Sequence, residues 1–164
     1  MSESLPSIVE GPIGTDAVVV SAKAGGAIDL WSPVIVTVGP TATNPVTVTT
    51  TTTPDDPKVY GVVVGPKLAS GKAADAAGDK VNVVKAGQAK LKVNGNTVNI
   101  AISDALVTTN VAGRAVKLDI TGTINAALLQ KMLAAFAKAL LASTADADII
   151  AVEVYQSRGT AKTS

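Results

Sequence analysis

The chain has 164 residues, of which 47% are hydrophobic, 16% charged and 2% aromatic, and its net charge is +1. That balance suits one domain with appendages, and it excludes global disorder and any long-range pull toward nucleic acid or an anionic membrane. Cysteine and histidine are absent, which removes disulfides, thiolate metal sites and the Ser-His-Asp and Cys-His machineries.

In chain order, residues 1–15 come first. "MSESLPSIVEGPIGT" holds two prolines, two glycines and little periodicity, and reads as an extended arm. It has acids where a signal peptide needs basic residues, and no apolar stretch follows them. β signals then begin. "DAVVVSA" (16–22) is a short β-branched run closed by "KAGG". A strand is expected over Pro33–Val38, with Pro33 at its first position, where a missing N–H is tolerated. "PVTVTTTTTPDDP" (45–57) alternates and then turns to pure threonine, which favours an exposed strand ended by a turn. "KVYGVVVG" (58–65) is nearly all apolar and suits a buried strand. "DKVNVVKAG" and "AKLKVNG" follow, and in the second Leu91 and Val93 alternate with lysines. Asn94-Gly95 sits between two β-like runs and predicts a hairpin turn. "ALVTTNVAGRAVKLDI" (105–120) predicts two short strands joined at Gly113.

The period then changes. Ile124, Leu128, Met132, Phe136 and Leu140 recur every four residues, with Leu129, Leu133 and Ala139 widening the stripe. This predicts a long amphipathic helix over 123–142, capped at Thr123, packed on the sheet or on symmetry mates. Its best apolar stretch carries Lys131 and Lys138, so no membrane span is expected. "ADIIAVEVYQ" (147–156) predicts a closing strand, and 157–164 is a polar tail. The expected fold is mainly β: a small β-barrel or sandwich with one long helix near the C-terminus and an extended N-terminal arm.

Chemical motifs are thin. "GPKLASGKA" (65–73) hints at a phosphate loop, but Gly65 is one residue too far from Gly71-Lys72 and Ala73 lacks the hydroxyl for magnesium. The acid pairs Asp55/Asp56, Asp75/Asp79 and Asp146/Asp148 lack calcium-loop spacing. Carboxylate pairs for sugar chemistry usually come with stacking aromatics, and this chain has only Trp31, Tyr60, Phe136 and Tyr155. No enzyme activity, metal, cofactor or small-molecule substrate is expected. Trp31 reads as a filler of a core or of an interface.

From Lys58 onward the order of segments resembles a known family. "VYGVVVGPKLASGKAADAAGDKVNVVKAGQAKLKV", "NTVNIAISDALVTTNVAGRAVKL" and "DIIAVEVY" look like successive parts of phage head decoration (capsid cement) proteins, and "GAIDLWSPVIVT" is similar to their early segment. The resemblance covers most of residues 16–156 and rests on the placement of Gly, Val and Ala. Residues 39–57 depart from the pattern and read as an inserted hairpin, and the helix over 123–142 is long for the family. The resemblance implies a non-enzymatic virion protein, made in the host cytoplasm and carried on the capsid exterior. It implies a homotrimer bound to the major capsid protein, stabilising the shell, with no nucleic-acid or membrane partner. It also implies that residues 1–15 pair with capsid strands, making Leu5, Pro6, Ile8, Val9, Pro12 and Ile13 the arm's contact residues. Trp31 and, on the threonine strand, Val48, Thr50 and Thr52 are the subunit-contact candidates. Two alternatives stay open: a phage tail-tube or neck subunit, and a carbohydrate- or surface-binding β-module.

Overall fold

The two lysine-rich runs "DKVNVVKAG" and "AKLKVNG" form one strand. In a computed structural model, which describes residues 17–155, this strand is β7 (Lys80–Asn94), the longest element. Before it lie β1 (Val18–Ala24), β2 (Ile28–Asp29), β3 (Pro33–Val38), β4 (Thr47–Thr50), β5 (Val59–Gly65) and β6 (Lys72–Ala74). After it come β8 (Ala105–Thr108), β9 (Ala115–Lys117), the helix α1 (Ala126–Leu133), β10 (Ala137–Ala139) and β11 (Asp146–Val154).

Strand β7 belongs to two closed rings. The first runs β7-β5-β3-β4-β1 and returns to β7, and the second runs β7-β11-β10-β8-β9 and returns to β7. Each ring has one parallel seam, β1 with β4 in the first and β7 with β9 in the second, and its other pairs are antiparallel. Closure leaves few free sheet edges, the usual liability of β proteins. The small β2–β6 pair lies outside both rings.

Alternation along β7 explains how one strand serves both. Val81 and Val83 are buried on the first half, and Ala89, Leu91 and Val93 on the second. Lys90 and Lys92 fall on the opposite side and are half-buried. With few aromatics, the core is a valine lattice running continuously from Ala22 and Val34 in the first ring to Leu106 and Val152 in the second. Each fully buried Val or Leu contributes roughly 1.5–3 kcal/mol as an upper value.

Gly87 marks the changeover. Residues 80–86 of β7 pair with β1, and residues 87–94 pair with β11. Gly87 has φ +106°, and a Cβ there would lie 2.6 Å from the Cα of Ala17. Only glycine fits both the dihedral and the gap.

Three expectations are corrected. The long helix is not formed: α1 spans eight residues, with Asn125 rather than Thr123 as N-cap, its side chain accepting from the Leu128 amide at 2.9 Å. Residues 137–139 instead form β10, the strand that links β8 to β11 and completes the second ring. In β10 the buried residues are Ala137 and Ala139, around exposed Lys138, a period of two rather than four. Ring closure overrides the helical period. Second, the threonine strand is not an exposed one outside the core: it is β4, which forms an antiparallel hairpin with β3 and pairs in parallel with β1, and Val48 on it is completely buried. Third, the Asn94-Gly95 turn forms, but the chain after it does not return as a paired strand. Ile100 makes only an isolated bridge to Ser143. The edge of β7 is taken by β11, and a Cβ on Gly95 would sit 2.5 Å from the Ser143 hydroxyl.

Gly87→Ala tests the joint directly. Left-handed strain and overlap with Ala17 are expected to cost about 2–4 kcal/mol. Urea unfolding should therefore show a lower midpoint with an unchanged slope; an unaltered midpoint would show that the joint tolerates a side chain.

Candidate functional site

The threonine stretch leads into a polar staple between the rings. Thr51 is buried and its hydroxyl donates to Asp56 Oδ2 at 2.8 Å, while the Lys58 amide donates to Asp56 Oδ1 at 2.9 Å. The Asp56 amide donates to Thr108 Oγ1 at 2.8 Å, and that hydroxyl donates to the Thr53 carbonyl at 2.8 Å. Thr108 lies on β8, so the loop between β4 and β5 of the first ring is tied to the second ring. The "PDDP" turn is a structural clasp, with the nearly buried Asp56 at its centre.

The site residues expected from sequence divide sharply. Leu5, Pro6, Ile8, Val9, Pro12 and Ile13 lie outside the described residues. Trp31 is 7% exposed, with φ +65°, and its ring belongs to this chain's own core. Its amide donates to the Val63 carbonyl and its carbonyl accepts from the Lys92 amide, both at 2.8 Å. Both Trp31 and the fully buried Val48 belong to this chain's own valine core. Thr50 is half-buried, and Thr52 is exposed at the start of the clasp. The phosphate-loop resemblance at 65–73 leads into strand β6 rather than a helix, with the Gly71 amide donating to the Leu68 carbonyl at 2.9 Å.

Three surfaces remain. The first is apolar: Ile120, Ile124, Leu129, Met132 and Leu133 are all exposed, Ile124 by 78%. Within α1 only Leu128 is buried. The stripe seen in the sequence thus exists, but most of it faces outward. Two polar contacts fix this region: Lys131 lies 4.0 Å from Asp55 of the clasp, and the Asp119 side chain accepts from the Thr121 hydroxyl at 2.7 Å and amide at 2.9 Å. Those hydrogen bonds, the hydroxyl's first, hold the Asp119 carboxyl below its usual range.

The second surface is a cleft of about 200 Å³ where β5 and β11 part beside the middle of β7. It is lined by Val59, Tyr60, Lys85, Phe136, Val154 and Tyr155. Three of the four aromatic residues therefore meet here. The Lys85 ammonium sits 4.5 Å from the Tyr60 ring centroid, within cation–π range. Burial pushes the Tyr155 phenol up from its ordinary pKa. Sequence reasoning missed this cluster because Tyr60, Lys85, Phe136 and Tyr155 are 19 to 95 positions apart and only strand pairing brings them together. The third surface is a lysine-lined cleft beside Trp31.

Among the described residues, no three His, Cys, Asp or Glu side chains gather as a metal site. No described helix is long and apolar enough to cross a membrane.

No family model matches the chain. No curated protein matches it either. Among solved structures, it is similar to the head fiber gp8.5 N base of bacteriophage phi29, with 15% identity and a TM-score of 0.45, over 84% of this chain and 93% of that one.

Replacing Asp56 with alanine leaves the Thr51 hydroxyl and the Lys58 amide without their acceptor. The expected cost is about 2–4 kcal/mol, and Asp56→Asn, which keeps one acceptor oxygen, should cost about half of that. Thermal unfolding of the two variants checks the order; equal melting temperatures for both variants and the parent would contradict the clasp.

Proposed function

We propose that the protein is a phage virion structural protein that binds the outside of an icosahedral head as a trimer and clamps neighbouring major capsid subunits. The observation that carries this reading is the order of segments across residues 16–156, which resembles head decoration proteins. The exposed apolar band over 120–133 supports an assembly role. Large apolar side chains exposed together along one short segment are costly to leave in water and suit an interaction site. Its members are aliphatic and come from a single capped helix and the turn before it, so they present a firm contact face.

In this reading the stabilisation is distributed. Residues 1–15 pair with capsid strands by β-augmentation, the ringed body covers the seam between subunits, and the band of α1 joins copies of the protein to one another. Binding to the assembled shell but not to free subunits then lowers the free energy of the closed head.

Two measurements test it. Sedimentation should find a trimer, and Leu129→Asp with Met132→Asp should weaken that association by about 2–4 kcal/mol while the circular dichroism spectrum of the fold stays unchanged. Heads lacking the protein should bind the intact chain in a pelleting assay and lose most of that binding when residues 1–15 are deleted. A monomer at every concentration, or a six-fold ring, would remove the decoration reading; the ring would point to a tail-tube or neck role.

A further inference from the structure

Lys85 stands out of register on β7. On one edge β5 pairs with β7 as far as Val84 and β11 pairs with it from Gly87, so Lys85 and Ala86 fall between the two ladders. On the other edge Val19 faces Val84 but Val18 faces Ala86, which leaves Lys85 as an extra residue. In a regular strand Lys85 would share the buried face of Val81 and Val83. The extra residue turns it instead into the aromatic cleft of about 200 Å³ between β5 and β11. There it is half-buried, with its ammonium over the Tyr60 ring. Among the described residues, no acidic side chain lines the cleft and no carboxylate pairs with Lys85. A ring face engages only part of an ammonium's three donors, so the cleft offers a cation to an incoming anion.

The lining side chains carry three polar groups, the Lys85 ammonium and the phenols of Tyr60 and Tyr155. The ammonium only donates, and the phenols donate readily. Phe136 and Val154 are buried beneath them, while Tyr155 is 39% exposed and presents a ring. Donors beside an aromatic face suit a ligand rich in oxygen acceptors with a C–H face, whose partial positive charge lies well against the negative face of a ring. A peptide suits it less, because amide N–H groups find no side-chain carboxylate or amide here. The volume is below the roughly 300–1,000 Å³ of drug-sized sites, which limits the ligand to a single ring. We propose that this cleft binds a sugar ring bearing a carboxylate, a hexuronic acid, with the carboxylate on the Lys85 ammonium and the C–H face on Tyr155. The sugar is either free or the terminal unit of a glycan. The inference goes beyond the virion reading and does not rest on it.

Titrating the ¹⁵N-labelled full chain with D-glucuronic acid and following its amide NMR signals tests this. Saturable shifts at Tyr60, Lys85 and Tyr155 are expected, with a dissociation constant of about 1–10 mM. D-glucose, which has the ring without the carboxylate, and acetate, which has the carboxylate without the ring, should each bind at least about fivefold more weakly. Lys85→Met keeps the aliphatic stem and should weaken glucuronic acid about tenfold, while Lys85→Arg should stay within about threefold of the parent. The signals away from the cleft report that both variants are folded. Methyl glucuronide, blocked at the anomeric carbon like a terminal glycan unit, should bind as well as the free acid if the source is a glycan and more weakly if it is not; either result keeps the site. No shift at the cleft up to about 50 mM would overturn the proposal. So would glucose or acetate binding as tightly as glucuronic acid, or folded Lys85→Met binding it like the parent.

Discussion

The fold depends on one strand satisfying two sets of neighbours. A fifteen-residue strand offers hydrogen-bonding groups along both edges, and here each half completes a different ring. Neither ring closes without its half of β7. This couples the two halves of the molecule covalently and by hydrogen bonding at once. The valine core continues across the joint instead of splitting into two small cores. For a chain with so few aromatics that continuity matters, since a ring of short strands alone encloses little apolar volume.

The joint is reinforced by polar contacts at a distance from it. The Asp56 clasp ties the β4–β5 loop to β8. Arg114, next to the single parallel contact between β7 and β9, donates to Asn94 at the end of β7 and pairs with Asp146 at the start of β11. Both devices act where strand pairing is short. Side-chain hydrogen bonds there compensate for ladders of only a few residues.

Much of this was legible in the sequence. The strands 18–24, 33–38, 59–65 and 146–154 follow from β-branched runs bounded by Gly, Pro and Asp, and the turn at Gly113 is where its signal places it. What was hidden depended on long-range partners. Residues 123–142 carry a helical stripe that nothing local contradicts; only the vacancy between β8 and β11 turns 137–139 into a strand. The run from Thr49 to Thr53 looks exposed by composition, yet it begins within a closed ring and ends at a buried aspartate fifty-two residues from its threonine partner. The aromatic cleft was invisible for the same reason. Function is less legible than fold, because a surface built of Ile, Leu and Lys has no fixed spacing by which to recognise it.

The path of the chain also has a geometric consequence. The described fold begins at Ala17, beside Gly87, and β11 returns to pair Val154 with that same glycine. The backbone therefore makes a nearly closed circuit, leaving along one ring and coming home along the other. A load applied through either end enters the body at its midpoint, on the strand common to both rings.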